Sequence, residues 1–477
     1  MRTRLQRLIV VAGLMLVPVL SGQAASLAPS SDQWTLPDLR VSRPVNLDRS
    51  KESGFDLAPS VIVTSYLPIV MNNYCSPFTI TDPAFGSYQS DMRQINADDA
   101  WLQCAQGDPT VIVAVIDTGV NLSHPDLAPN LISGASFVSY EPSVEDGQGH
   151  GSNVAGIVGA SLNDIGVVGV APRTRLLPIK VLDSDGSGYT SWVANGIIYA
   201  ADHGAKILNL SLGGPEDNQV LRDAINYAAD TKNTLVIAAA GNCGDYNYQY
   251  NGCSYMNQPA YPAAYSNVMA VAAVTGWDTR ASFSNVGDYV DIAAPGVSIY
   301  NTYKNGGYTY ESGTSQATPH VAGLAALIWA RYLNYTAAQV RALIQNTAVD
   351  LGATGWETQF GWGRIDAAAA LNLALSNAAP AVTADANRIE LPPPNDHRDA
   401  DIAPGRVLIK FGPGFATTSI SLALSALGAV SIEGQIETLN IQVLRVPVGQ
   451  EWLLIDQLRA LPGVEYVEPD YAVRLIR

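Results

Sequence analysis

Positive charge and long hydrophobic runs are both scarce in this sequence. Its 477 residues include 27 lysines and arginines against 43 aspartates and glutamates, which gives a formal net charge of −16. Nucleic acid attracts basic surfaces, so this balance argues against a nucleic-acid partner. Beyond the first 24 residues no run of 18 or more apolar residues occurs, and the sequence predicts no membrane-spanning helix there.

The first 24 residues have the pattern of a cleavable secretory signal peptide. Arg2, Arg4 and Arg7 precede an apolar run from Leu8 to Leu20, and small residues follow it. An uncleaved membrane anchor is the alternative, although 13 apolar residues are few for crossing a bilayer. Removal takes away three arginines, so the formal charge moves from −16 to −19. We expect a secreted, extracellular monomer with no membrane contact after signal removal.

Cysteine is scarce as well, with four residues in the whole chain. Export to an oxidising compartment predicts disulfides, and four cysteines permit three pairings. Cys243 and Cys253 lie ten positions apart in a loop rich in tyrosine, asparagine and glycine, which leaves Cys75 to pair with Cys104. Free buried thiols are the alternative.

Hydrophobic periodicity divides the rest of the chain. Residues 25–79 are rich in serine, proline and mixed charge, the composition of a leader or linker. Residues 80–376 alternate apolar β-branched runs with helical segments, which predicts an α/β fold with a doubly wound parallel sheet. Strands are predicted at 111–117, 176–182, 207–212 and 234–242, with helices near 191–204 and 217–232.

A smaller domain follows the α/β region. Residues 377–402 contain LPPPNDHRDAD, whose proline and charge density indicate a linker. Residues 403–477 run in the order strand, helix, strands, helix, strand, which suits a small ferredoxin-like α+β sandwich. The chain length agrees with one large domain and one small one.

Three polar residues of the α/β region offer the groups of a nucleophilic site. Asp117 ends the strand VIVAVID, at the sheet edge where open α/β folds form sites, although a lone aspartate there is more often a turn or cap residue. His150 lies between two glycines, and Ser315 opens a helical segment. A serine hydroxyl becomes a nucleophile when an imidazole takes its proton and a carboxylate orients the imidazole. The other histidines have simpler explanations, in a turn, at a helix end, inside a helix and in the linker: His124, His203, His320 and His397.

The segment GTSQATPHVAG, residues 313–323, has the features of a loop and helix start that position a nucleophile. Ser315 in the first helical turn would give a developing oxyanion a backbone N–H and the positive end of the helix dipole. Gly313 lets the loop bend and the substrate approach, and Pro319 is tolerated near the first turn. Asn242, which ends VIAAAGN, offers a second oxyanion donor, with an asparagine turn as the alternative.

Five motifs, VIDTGV, GHGSNVAG, NLSLGG, AAAGN and GTSQATPHVAG, occur in this order between residues 80 and 376. In order and spacing they resemble the subtilisin-like serine proteases, most closely the thermitase-like branch. The resemblance implies a serine endopeptidase that forms an acyl-enzyme, with Asp117, His150 and Ser315 as its triad and Asn242 as its oxyanion donor. Two positions depart from the family pattern: Asn153 stands where a second histidine is usual, and Gln316 where methionine is usual. Neither transfers a proton, so activity is expected to remain.

The same resemblance assigns the substrate cleft. Leu212, Gly213 and Gly214 would form an edge that pairs with an extended substrate, and Ala239 and Gly241 would line the opposite wall. A pocket of alanine and glycine favours apolar or aromatic substrate side chains. Close packing of the sheet is the alternative reason for such small residues.

The family match also implies a structural calcium ion. Its ligands would be a hard oxygen set that joins the start of the domain to a surface loop. The matching positions are the side chains of Asp82, Asp126 and Asn163 and the carbonyls near Ala160, Ile165 and Val167. The segment LDSDGSG, residues 182–188, lacks the later glutamate of a calcium loop and is expected to be a turn beside the cleft.

The segments GRVLIKF and VEYVEPDY of the last domain resemble the prodomain that these proteases normally carry before the catalytic domain. Prodomains of the family assist folding and leave their last strand in the cleft as an inhibitor. We therefore expect a precursor that is inhibited by its own C-terminal domain, with the tail YAVRLIR in the cleft, and activated when the linker is cut. An adhesion or targeting module is the alternative for this domain.

Two other functions are alternatives to a serine endopeptidase for the whole chain. A non-catalytic peptide-binding protein could retain the fold with its cleft occupied, but all four catalytic positions are intact. A serine esterase of the α/β-hydrolase type is disfavoured because the G-x-S-x-G elbow is absent, with Ala317 at the position of its second glycine.

Overall fold

The structure is a computed structural model that describes residues 80–245, 249, 252–374, 398, 400–412, 424 and 431–476. The expected signal peptide, the leader and nearly all of the linker lie outside the described residues. Cys75 and His397 do so as well.

A parallel sheet of seven strands forms the centre of the α/β region, in the order β2-β3-β1-β5-β7-β8-β9. Its strands are runs of β-branched and small apolar residues, as expected for a sheet covered on both faces. This confirms the predicted fold class. The strands of the region are β1 Ile112–Asp117, β2 Ala135–Ser136, β3 Arg175–Lys180, β4 Ser187–Tyr189, β5 Ile207–Leu210, β6 Leu212–Gly213, β7 Leu235–Ala239, β8 Val268–Val274 and β9 Val290–Pro295, followed by the antiparallel hairpin β10 Ile299–Thr302 and β11 Tyr308–Glu311.

Helices cover both faces of this sheet. They are α1 Pro83–Ser87, α2 Ser90–Gln94, α3 Ala97–Leu102, α4 His150–Gly159, α5 Thr190–Asp202, α6 Gln219–Asn226, α7 Thr314–Arg331, α8 Ala337–Asn346 and α9 Ala367–Ala374. Helix α7 is buried from Thr314 through Trp329, in agreement with its lack of a polar face. Its burial fixes the position of the residues in its first turn.

The C-terminal region contains β12 Ile402–Phe411, β13 Ser431–Ile436, β14 Ile441–Arg445, α10 Glu451–Arg459 and β15 Val464–Leu475. Its antiparallel strands lie in the order β13-β14-β12-β15, which is the strand order of a ferredoxin-like fold. Of the first expected helix, only Leu424 is described.

Alternation along β12 explains how this small sheet packs. Val407 and Ile409 join the core that the C-terminal region forms with α10, whereas Leu408 joins the core that contains α5 and α6. Successive residues of a strand point to opposite faces, so the sheet is sandwiched between its own helix and the α/β region. Ile441 and Val443 of β14 extend that second contact.

The disulfide between Cys243 and Cys253 is present, as expected. Cys104 also takes part in a disulfide, while its expected partner Cys75 lies outside the described residues. None of the helices in the described ranges has the length and apolar character that crossing a membrane requires.

Candidate active site

Asp117 and His150 meet at the end of β1. His150 Nδ1 lies 2.9 Å from one carboxylate oxygen of Asp117 and 3.0 Å from the other. Asp117 is completely buried, and the N–H of Thr118 donates to it at 2.7 Å. With Nδ1–H directed at the carboxylate, the other ring nitrogen of His150 is left to act as a base.

Packing around His150 fixes the start of α4. Asp146 accepts hydrogen bonds from the backbone N–H groups of Gly149 and Ser152 and from the Ser152 hydroxyl. Gly149 has a φ of 114°, and a Cβ placed there would lie 2.3 Å from the ring of Tyr303. The glycine before the histidine therefore serves close packing.

Burial of the His150 imidazole acts to lower its pKa, because a charged ring loses its hydration. The charge of Asp117 and its hydrogen bond act in the opposite direction, and Glu311 and Asp146 add to them. The net result is a pKa raised above the usual range of histidine. The imidazole is thus prepared to hold the proton that a nucleophile gives up.

Ser315 is the second residue of α7 and is fully buried in the structure. Its hydroxyl lies 3.1 Å from the Ser211 carbonyl, and the Ser211 hydroxyl donates to the Ser315 carbonyl at 2.8 Å. Pro319 has no N–H to offer to that carbonyl, so Ser211 supplies the missing donor. The proline is therefore accommodated at the sixth helical position by this contact, and not by its nearness to the first turn.

Asn242 lies beside the start of α7. Its Oδ1 accepts hydrogen bonds from the N–H and the hydroxyl of Thr314, at 3.0 and 2.9 Å. A Cβ placed at Gly313 would lie 3.1 Å from Asn242 Nδ2 and 3.5 Å from the carbonyl oxygen of Ile476. The amide nitrogen and that carbonyl thus both approach Gly313, where a side chain would make a tight contact with the amide nitrogen.

The last described segment of the chain lies in the cleft between β4 and β6. Strand β15 pairs antiparallel with β4 through Ala472, Val473 and Arg474, and with β6 through Arg474 and Leu475. The carbonyl oxygen of Ile476 then lies 2.6 Å from Ser315 Oγ. His150 Nε2 is buried and has no hydrogen-bond partner among the described residues, so the serine hydroxyl contacts the tail and not the imidazole.

A cavity of about 350 Å³ lies beside this tail. Of the substrate residues expected from the family, Gly213, Gly214 and Gly241 line it, and Leu212 pairs with the tail; Ala239 is buried inside the sheet and is not among the lining residues described. A Cβ added at Gly213 would lie 2.9 Å from Ile476 Cδ1, so the isoleucine side chain covers this glycine. Glu216 also lines the cavity, although the glycine motifs gave no sign of it.

The two positions that depart from the family pattern contact each other. Gln316 Nε2 donates to Asn153 Oδ1 at 3.4 Å and to Glu311 Oε2 at 2.9 Å. Asn153 Nδ2 donates to the Thr302 carbonyl at 3.2 Å. Sequence reasoning treated the two departures separately and missed Glu311, because β11 carries no motif.

Two carboxylates of β15 lie at the N-termini of helices of the α/β region. Glu468 accepts from the N–H groups of Gln219 and Val220, each at 2.9 Å, and Asp470 from the N–H and hydroxyl of Ser191, at 2.9 and 2.7 Å. First-turn N–H groups have no partner within a helix and favour negative charge. Burial raises the pKa of Glu468 to about 7 and also raises that of Asp470.

Cations of β12 complete this contact. Arg406 Nη1 lies 3.4 Å from Asp470 Oδ2, and its guanidinium lies over the ring of Trp192 at 6.0 Å. Lys410 Nζ lies 2.6 Å from Asp223 Oδ2 on α6. The strand therefore contacts both helices that the β15 carboxylates cap. Both positions lie in the segment GRVLIKF, which resembles a prodomain, but the sequence gave neither of them a role.

The residues expected to hold calcium lie together beside the hairpin. The Asn163 N–H donates to Asp82 at 3.3 Å, and the Asn163 side chain donates to Asp126 at 3.3 Å. Burial raises the pKa of Asp82 to about 6 and raises that of Asp126. Asp82 Oδ2 is buried without a hydrogen-bond partner among the described residues. A cation would supply the missing partner, so this oxygen set fits one.

No three side chains of the types His, Cys, Asp and Glu are grouped as metal ligands within the described ranges. The set around Asp82 and Asp126 contains two carboxylates, and its other members are an amide and backbone carbonyls. The three described histidines outside the centre have structural partners: His124 contacts the Gly307 carbonyl, His203 the Tyr199 carbonyl, and His320 the carboxylate of Asp91.

Comparison with known proteins agrees with this geometry. Residues 108–363 match the subtilase family, and residues 393–470 match the fervidolysin N-terminal prodomain. Thermitase of Thermoactinomyces vulgaris is 44% identical over 291 residues, which cover 61% of this chain and 98% of thermitase. A thermophilic serine proteinase of Bacillus sp. (strain AK1) is 43% identical over 290 residues, covering 61% of this chain and 68% of that protein.

Subtilisin DY of Bacillus licheniformis is 45% identical over 276 residues, covering 58% of this chain and 96% of its own length. The family match includes all five ordered motifs, because they lie between residues 115 and 323, inside residues 108–363. The resemblance stated from the sequence is therefore confirmed, both for the α/β region and for the prodomain-like region that follows it. The chain belongs to the subtilase family of serine endopeptidases.

Proposed function

We propose that this protein is a secreted endopeptidase that cuts peptide bonds with Ser315, His150 and Asp117 and is held inactive by its own C-terminal domain. The observation that carries the proposal is the Ile476 carbonyl oxygen, 2.6 Å from Ser315 Oγ at the end of a strand paired with both walls of the cleft. A peptide carbonyl in this place has the position that a substrate carbonyl must reach before attack.

The chemistry follows from the roles of the three groups. Ser315 Oγ attacks the substrate carbonyl while His150 Nε2 takes its proton, and the buried Asp117 stabilises the resulting imidazolium. His150 then gives the proton to the leaving amine, and water repeats the sequence to release the acyl group. The amide of Asn242 and the N–H of Ser315 would hold the developing oxyanion.

Inhibition is the role proposed for the C-terminal domain. Its β15 adds a strand between β4 and β6, so the backbone groups that would bind a substrate are already paired. Glu468 and Asp470 anchor that strand to α5 and α6. Residues 377–402 join the domain to residues 80–376, and cutting this linker would release it.

Substrate preference is proposed from the cavity beside Ile476. Glycines line one side of it, and Ile476 borders it without filling its volume of about 350 Å³. Apolar and aromatic side chains before the cleaved bond would therefore fit, with Glu216 among the lining residues disfavouring acidic ones.

Calcium is proposed as a structural ion. Asp82, Asp126 and Asn163 would hold it with the carbonyls near Ala160, Ile165 and Val167, and it would neutralise two buried carboxylates. Export is supported by residues 1–24 and agrees with the disulfide between Cys243 and Cys253.

Two measurements test the proposal. A fluorophosphonate probe should label the full-length protein at Ser315, and the Ser315→Ala variant should neither be labelled nor cut a peptide. An Ile476→Asp variant should be labelled faster than the native protein, because a carboxylate is poorly accommodated against Gly213. Equal labelling of native and Ile476→Asp proteins would contradict the inhibition while leaving the peptidase activity standing.

A further inference from the structure

A second carboxylate lies near the catalytic imidazole on an element that no motif marks. Glu311 is the last residue of β11, and its charge acts on His150 together with that of Asp117. Asp117 orients the imidazole through Nδ1 and is fully buried. Glu311 is only partly buried, so its carboxylate remains within reach of a bound polypeptide.

The position of Glu311 is fixed relative to the nucleophile. Gln316 follows Ser315 directly in α7, and its Nε2 donates to Glu311 Oε2 at 2.9 Å and to Asn153 Oδ1 at 3.4 Å. Gln316 is 2% exposed, so its amide is held by packing as well as by these bonds. The carboxylate is thus connected to the active site through the residue next to the nucleophile.

The tail shows which side of the cleft would bind the acyl part of a substrate. Residues 472–475 pair with β4 and β6, and they end at the Ile476 carbonyl beside Ser315. These strands therefore bind the acyl side of a substrate. The imidazole must pass a proton to the amine on the other side of the cleaved bond. Gln316 joins Glu311 to Asn153, which lies one turn after His150 in α4, so we place Glu311 on the imidazole side of the cleft, toward the leaving segment.

We propose that Glu311 selects substrates with lysine or arginine directly after the cleaved bond. This deepens the proposed function and rests on it. A fixed, half-buried carboxylate attracts a cationic side chain in a region of reduced dielectric, and it repels an acidic one. The chain itself has an arginine, Arg477, directly after Ile476.

The test uses the full-length protein and a mixture of three peptides that differ only in the residue after the cleaved bond: arginine, glutamine or glutamate. Mass spectrometry of the mixture gives ratios of kcat/KM. Because all peptides compete for the same free sites, occupancy of the cleft by the tail cancels from these ratios. The protonation state of His150 cancels for the same reason.

The native protein should cut the arginine peptide about tenfold faster than the glutamate peptide, in the range expected for a partly exposed charge pair. Glu311→Gln should bring the ratio to within about twofold of one, and Glu311→Lys should invert it. The matched control is Glu437→Gln, which removes an exposed carboxylate of the C-terminal domain that does not line the cavity and should keep the native ratio. Thermal unfolding verifies that each variant is folded.

A native ratio near one, or an unchanged ratio in Glu311→Gln, would overturn this inference while the peptidase activity stands. Failure of the native protein to cut any of the three peptides, with no labelling of Ser315, would instead remove the proposed function and this inference with it. Inversion by Glu311→Lys is the outcome that a purely structural role of Glu311 does not produce.

Discussion

Two buried carboxylates, one in the catalytic centre and one where the C-terminal domain docks, are held by different partners. Asp117 faces an imidazole whose pKa it raises. Glu468 accepts from two backbone N–H groups, and its burial, together with the charges of Asp223 and Asp217, raises its pKa to about 7. The catalytic carboxylate of Asp117 has a partner, His150, that can become a cation. Glu468, at the contact that we propose is released on activation, has neutral backbone donors. The catalytic contact therefore titrates through its imidazole, and the docking contact titrates through its carboxylate.

The sharpest way to test this contrast is to remove the charge at the centre. Asp117→Asn keeps the shape but leaves the imidazole without a counter-charge and in the wrong tautomer. We expect kcat/KM for a peptide to fall about 10⁴-fold, because the imidazole in the wrong tautomer cannot take the proton of Ser315. Steady-state kinetics measure the loss, and an unchanged unfolding midpoint verifies the fold. A loss under tenfold would contradict the assigned role.

Removing the charge at the docking contact should have the opposite effect on activity and raise it. Asp470→Ala leaves the Ser191 N–H without its acceptor and removes the buried carboxylate beside Arg406, which costs docking about 1–3 kcal/mol. The full-length protein should then cut a peptide about tenfold faster than the native protein, since the tail leaves the cleft more often. Glu437→Gln, at a position in the same domain outside this contact, is the control. Equal activity of Asp470→Ala and native protein would argue against this anchor.

The docking of the C-terminal domain should also depend on pH, because Glu468 titrates at this contact. Glu468 has a pKa of about 7 when docked and near 4.3 when exposed to water, so the docked state binds the proton more tightly. Docking is then strongest below about pH 4.3, weakens by about tenfold or more as the pH rises toward about 7, and levels off above that. Asp470 adds a change of the same direction.

Hydrogen exchange of β15 in the Ser315→Ala background measures this docking without self-cleavage. Protection should fall between about pH 5 and 7. Glu468→Gln cannot titrate, so its protection should change less over the same range. Identical pH profiles for the two proteins would show that Glu468 is not the group responsible.

The smallest expected effect lies beside the nucleophile. Ser211→Ala removes the hydroxyl that donates to the Ser315 carbonyl, the acceptor that Pro319 cannot serve. Loss of one neutral hydrogen bond costs about 1 kcal/mol, so the unfolding midpoint should drop by a few degrees and kcat about fivefold or less. Adding Pro319→Ala should restore part of the loss by returning an N–H to the helix. No recovery in the double variant would contradict this pairing.

Much of the fold was predictable because its signals are local. The strand VIVAVID, the helix after Ser315 and the strand order of the C-terminal region follow from apolar periodicity and short motifs. The disulfide between Cys243 and Cys253 was predictable from their spacing in one loop. Glu311 received no role because β11 carries no motif. Glu468 and Asp470 lie in the segment VEYVEPDY, but they received no role because their partners are far away in sequence. The prediction that Pro319 is tolerated because it lies near the first helical turn was wrong for the same reason. The hydroxyl that replaces its missing N–H belongs to Ser211, which is distant in sequence.

By itself, the sequence determined which strands and helices form, which residue types could carry the chemistry, and to which family the chain is similar. Tertiary structure alone decided that Ile476 contacts Ser315, that Glu311 lies near His150, and that two carboxylates of β15 cap α5 and α6. The physical reason is that periodicity and propensity act over a few residues, whereas charge, burial and hydrogen bonding depend on which distant groups the packed chain brings together.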